Sequence, residues 1–122
     1  MSESQTIETN STVVPTARRV GESIVAVVKG DVDLKTSPML RTALLALIKD
    51  KIPERLILDL SSTSYMDSSA IAVLVEMLQK ARKVQGKVCL IQLQPRVKGL
   101  LEIARLDSIF VIAKDEAEAL KK

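Results

Sequence analysis

The chain has 122 residues, enough for one compact domain and too few for two, with 47% hydrophobic residues and a formal charge of +3. With one Tyr, one Phe and no Trp the core must be aliphatic, and with no His and one Cys the composition excludes Ser-His and Cys-His nucleophiles, a structural zinc site of about four Cys or His ligands, and an intrachain disulfide. No stretch approaches the roughly 20 apolar residues of a membrane span, and the acidic, Ser/Thr-rich start lacks a signal peptide's basic and apolar regions, so a cytoplasmic domain is expected.

Residues 1–16 read as a flexible N-terminal tail, closed by Val13-Val14-Pro15, and residues 17–122 as the folded domain. Ala17–Val20 and Ile24–Lys29 are short β-type runs around Gly21-Glu22-Ser23, the pattern of a hairpin. A polar connection, Gly30-Asp31-Val32-Asp33-Leu34, leads to Ser37-Pro38, which reads as a helix start with Ser at the cap and Pro in the first turn. Leu40, Leu44, Leu47 and Ile48 continue at helical spacing until Pro53. Arg55–Leu60 contains the apolar run expected of a buried strand.

From Ala70 to Val75 six apolar residues follow one another, and Met77, Leu78, Ala81 and Val84 continue one face only. This predicts a helix whose first turns are enclosed on several sides and whose second half has a wet face, ending at Gly86. The densest basic group, Lys80, Arg82, Lys83 and Lys87, closes this helix, where cations face the negative end of the dipole. Basic residues are otherwise dispersed and not interleaved with aromatics, which speaks against nucleic-acid binding. Lys87–Gln92 is a further strand with Cys89 as a small core residue, Pro95–Ala104 a helix, Ile109–Ile112 a last strand and Asp115–Lys122 a final short helix. The alternation of strands and helices is that of an α/β sheet, whose sites collect where strand C-termini lead into helix N-termini.

One such loop stands out. Ser61-Ser62-Thr63-Ser64-Tyr65-Met66-Asp67-Ser68-Ser69 carries a polar side-chain group at every position but Met66. Asp67 or Ser68 capping the apolar helix is one reading. If Ser68 caps, Ser69 falls in the first turn with its hydroxyl outward, where a phosphate would meet unsatisfied amides and the positive end of the dipole. That phosphate would add about −1.5 to −2 charges beside Asp67 and change what the surface binds while leaving the fold intact. The two readings are compatible.

Gly30-Asp31-Val32-Asp33-Leu34 followed by Ser37-Pro38-Met39-Leu40-Arg41, and Leu58-Asp59-Leu60 followed by Tyr65-Met66-Asp67-Ser68-Ser69-Ala70, resemble the two signatures of STAS domains, and more specifically of bacterial anti-sigma factor antagonists. The resemblance runs from about Ile24 to Ala119. It implies a STAS fold, α/β, with a small mixed sheet of about four to five strands and about four helices packed against it. It implies a protein that performs no catalysis, takes no cofactor or metal and switches partners. Unphosphorylated, it binds an anti-sigma factor that is also a serine kinase and frees a sigma factor; phosphorylation of a loop serine lowers affinity, and a PPM-type phosphatase resets it.

By position the resemblance makes Ser69 the phosphoacceptor, with Ser68 the runner-up, and places Asp67, Asp33 and Asp31 among the partner-binding residues with Tyr65, Met66, Ser68 and Ala70. Tyr65 is the aromatic anchor nearest the serines. Where the family usually has Gly, this chain has Ala70, whose methyl firms the helix start and stands where a kinase expects open backbone. A monomer that contacts neither nucleic acid nor membrane is expected. The alternative is a STAS subunit of another assembly, a lipid-transport ABC complex or a stressosome-like scaffold, using the same surface without a phosphate cycle. A nucleotide hydrolase built on Asp31, Asp33, Asp59 and Asp67 finds no Gly-rich phosphate loop to support it.

Overall fold

The structure, a computed structural model, describes residues 4–122. Strand β1 (Ser4–Ile7) is followed by β2 (Thr16–Val20), β3 (Ser23–Lys29), α1 (Ser37–Ile48), β4 (Arg55–Ser62), α2 (Ser68–Arg82), β5 (Lys87–Ile91), α3 (Pro95–Ile103), β6 (Val111–Ala113) and α4 (Glu116–Ala119). The strands form one sheet in the order β1-β2-β3-β4-β5-β6. The first two pairings are antiparallel and the last three parallel, so the sheet is mixed as expected and holds six strands rather than four or five.

The sixth strand comes from the segment expected to be a flexible tail. Ser4–Ile7 pairs along β2, with Ser4 opposite Val20 and Ile7 opposite Ala17. A run with one apolar residue in four has no strand pattern of its own; it is held by ladder hydrogen bonds to a neighbour. Val13 and Val14 are buried, their amides donate to Ser11 Oγ at 3.1 and 3.0 Å, and Lys29 N–H donates to Val13 O at 2.8 Å. Residues 1–3 of that expected tail lie outside the described residues.

Alternation in the central strands divides the core in two. Leu56, Leu58 and Leu60 of β4 and Val88 and Leu90 of β5 point into the main core under α1, α2 and α3. Ile57, Cys89 and Ile91 point the other way, into a smaller cluster closed by Ala113 and Ala119. This explains the continuous apolar runs, since both faces of these strands are covered. Helix α2 buries Ala70, Val73, Leu74, Met77, Leu78 and Ala81, a spacing that keeps one face inward. It packs on α1, where Arg41 Nε and Nη2 donate to Glu76 Oε1 and Oε2 at 2.7 and 2.9 Å.

Several boundaries differ from the sequence reading, three of them with a local cause. Ser37 is buried inside α1, whose cap is Thr36. The cap hydrogen bonds there go to Asp33, whose Oδ1 accepts from the Lys35 and Thr36 amides at 2.9 and 3.1 Å. β6 begins at Val111, because Ile109 and Phe110 form a turn that drops Phe110 into the main core. After α2 the left-handed residue is Gln85 (φ 56°), while Gly86 is required by close approach: a Cβ there would stand 2.9 Å from Pro53 O.

Candidate functional site

β3 and β4 lie side by side and parallel, so the loops leaving their C-terminal ends run together toward α1 and α2. Gly30 N–H donates to Ser62 O at 2.9 Å, Val32 N–H to Tyr65 O at 3.0 Å and Asp67 N–H to Val32 O at 3.1 Å. The hydroxyl of buried Thr63 donates to Val28 O at 3.1 Å, and that of Ser64 to Asp31 Oδ1 at 2.8 Å. The two signature segments thus form one stapled surface, with Asp31, Asp33, Tyr65, Asp67, Ser68 and Ser69 at one end of the sheet.

Asp67 is the cap of α2. Its extended backbone brings Oδ1 to the amides of Ser69 at 2.9 Å and Ala70 at 3.2 Å, while Ser69 Oγ donates to the same oxygen at 2.5 Å. That hydroxyl bond is the main cause that holds the Asp67 carboxyl below the usual carboxylate range; the backbone N–H groups of Ala70, Ser69 and Leu34 add to it against a desolvation penalty. Asp67 is therefore a carboxylate at neutral pH. The Ser69 hydroxyl is not free as a Ser68 cap would leave it. It is half-buried and held by its neighbour, with its oxygen lone pairs still available, whereas Ser68 is exposed in the first turn.

Two residues expected at the partner surface are placed inside instead. Met66 is 3% exposed and Ala70 0% exposed, both in the main core. Met66 alternates inward from Tyr65 because it bridges to Val32 as a strand residue would. The Ala70 methyl points into the core and not toward an approaching enzyme. Tyr65 is 39% exposed, with the Arg96 guanidinium 5.5 Å above its ring.

Several contributors were invisible in the loop itself. Gln94 Nε2 donates to Ser61 O at 2.7 Å, and Arg96 follows at the start of α3. The β5–α3 connection brings both to the loop from about thirty residues away, a distance that no local pattern spans. Leu34 is 76% exposed, with its backbone N–H toward Asp67 of the loop, and Met39 is 44% exposed on the first turn of α1; their apolar type at solvent-facing positions was the available signal. Among the described residues no group of three or more His, Cys, Asp or Glu is placed to hold a metal ion, and no helix is long and apolar enough to cross a membrane.

Comparison with known proteins agrees with this arrangement. The STAS domain family profile matches residues 14–119. The anti-sigma-B factor antagonist of Listeria monocytogenes is 35% identical over 92 residues, which cover 75% of this chain and 79% of that protein. The crystal structure of an anti-sigma factor antagonist from Mycobacterium paratuberculosis superimposes with a TM-score of 0.77 at 23% identity, covering 98% of this chain and 92% of that one. The anti-sigma factor antagonist SpoIIAA in its unphosphorylated form does so with a TM-score of 0.70 at 18% identity, covering 99% and 94%. The chain belongs to the STAS domain family and, within it, to the anti-sigma factor antagonists.

Proposed function

We propose that this chain is a phosphorylation-controlled binding protein. Its unphosphorylated form binds an anti-sigma factor that is also an ATP-dependent serine kinase and so frees a sigma factor. The kinase transfers the γ-phosphoryl of ATP to Ser69 Oγ, releasing ADP and the hydroxyl proton, and a PPM-type phosphatase hydrolyses the ester to restore the serine. The observation that carries this reading is the Ser69 hydroxyl held at 2.5 Å by a capping carboxylate on an open loop surface.

The electrostatics supply a switch. A phosphate on Ser69 places about −1.5 to −2 charges against the Asp67 carboxylate. It also faces the nucleotide of any kinase that has acted there, since ATP must have lain within reach of Oγ. Moving a partner from 99% to 1% bound takes about 5.5 kcal/mol of differential affinity. Exposed charge pairs give only about 0–1 kcal/mol, so the phosphate must act from within the partner footprint, where like charges are desolvated.

The test is phosphate transfer with purified components. Incubation with ATP and an anti-sigma factor serine kinase from the same organism should add one phosphate, abolished in Ser69→Ala and retained in Ser68→Ala. Transfer that survives Ser69→Ala moves the acceptor to Ser68. Stable binding with no transfer at all favours a permanent STAS subunit instead.

A further inference from the structure

Among the described residues five large apolar side chains are left exposed: Leu34, Met39, Tyr65, Val84 and Ile103. A single exposed leucine is ordinary and needs no explanation. Here Tyr65 lies on the loop before α2, Leu34, at 76% exposure, stands on the turn between β3 and α1, and Met39 lies on the first turn of α1 that follows it.

That turn is built rigidly. Asp33 Oδ1 accepts from the Lys35 and Thr36 amides, Thr36 Oγ1 accepts from Asp33 N–H at 3.0 Å, and Ser37 N–H donates to Asp33 O at 2.8 Å. The Leu34 backbone N–H faces the Asp67 carboxylate, so the leucine is fixed relative to Ser69. An apolar side chain on a preorganised turn loses little conformational freedom when it is buried by a partner. Beyond it, Pro38 and Met39 begin a mostly apolar groove of about 600 Å³ that runs between α1 and residues 7–11 to Leu47. The β3–α1 turn and the α2 cap carry Asp31, Asp33 and Asp67 against Lys35, with Arg96 over Tyr65 on the other flank, on a chain whose net charge is +3.

Resting on the reading of the chain as an anti-sigma factor antagonist, we propose that Leu34 and Met39 are the apolar anchors of the partner interface, received by an apolar pocket of the anti-sigma factor whose rim carries Lys or Arg opposite Asp31 and Asp33. Leu34 then sets affinity, while Ser69 sets whether the complex persists. Binding energy concentrates in such central apolar anchors, and the acidic flank supplies steering and orientation.

The experiment measures binding to, and phosphorylation by, an anti-sigma factor serine kinase from the same organism, using the full chain. Leu34→Gln removes an exposed apolar side chain, and its melting temperature should match wild type. Affinity should fall at least about tenfold, as for an interface anchor. In phosphate transfer the KM should rise with kcat unchanged, as when uniform binding is lost. Met39→Gln should act in the same direction. Val84→Gln, just past the C-terminal end of the 15-residue α2 and so about 20 Å from Ser69, should bind as wild type. Asp31→Asn with Asp33→Asn should flatten the salt dependence of association. Wild-type binding and Ser69 phosphorylation, with Leu34→Gln and Met39→Gln both within about twofold of wild type in affinity, would overturn this proposal and leave the function standing. A salt dependence unchanged by the Asn pair would overturn the cationic rim. A wild-type chain that neither binds nor accepts phosphate would overturn the function and this inference together.

Discussion

Ala70→Gly tests the placement of the one residue that departs from the family pattern. Ala70 is the third residue of α2, fully buried, with its amide on Asp67 and its methyl in the main core. Glycine in a helix costs about 0.5–1 kcal/mol in backbone freedom. Losing one buried methyl removes about 0.8 kcal/mol more, together about 1.3–1.8 kcal/mol. With an unfolding entropy of about 2.1 cal/mol/K per residue over 122 residues, the melting temperature should fall by about 5–7 °C. Calorimetry or thermal circular dichroism reads this directly. Because the methyl points inward, the rate of phosphate transfer to Ser69 at saturating kinase should stay within about twofold of wild type. A melting temperature within about 1 °C of wild type would refute the burial. A tenfold or so faster transfer would instead show that the methyl stands in the kinase's path.

Four further outcomes follow from local geometry. Asp67 has a folded pKa below its unfolded value, so its stabilisation is complete above the ordinary carboxylate range and is lost as pH falls through the lowered value. Thermal stability should show no pH dependence from this group between about pH 8 and 5, where its contribution is fully present, and Asp67→Asn should remove part of the acid-side loss seen in a pH series of melts. Gly86→Ala places a Cβ 2.9 Å from Pro53 O and 3.2 Å from Ala81 O and Glu54 O, all backbone atoms that yield poorly. It should cost about 1–3 kcal/mol, or about 4–12 °C. Gly99→Ala, in open space within α3, should instead stabilise by about 0.4–1 kcal/mol in the same melts. The buried Cys89 thiol, its pKa pushed up by burial, should resist a thiol reagent in the folded protein and react in urea; rapid native labelling would contradict its place in the sheet.

The STAS architecture was legible because its elements announce themselves locally. Leu56-Ile57-Leu58 and Val88-Cys89-Leu90 are runs that only strands covered on both faces need, and the α2 face repeats at helical spacing. Ser69, Asp67 and their place before an apolar helix were equally plain, since strand-to-helix loops and caps are written in neighbouring residues. Strand β1 was not, because Ser4–Ile7 carries no periodicity and owes its state to β2.

What the linear chain determined, then, was composition, the order of core elements and the polar loop that leads into α2. The tertiary structure decided which polar atom meets which. It decided that Asp67 and not Ser68 caps, which engages the Ser69 hydroxyl. It turned Met66 and Ala70 inward, and it brought Asp31, Gln94 and Arg96 to the loop from other crossovers. The physical reason is that a cap or an apolar period is satisfied within a few residues, whereas burial and cross-loop hydrogen bonds depend on parallel strands whose partners lie about thirty residues apart.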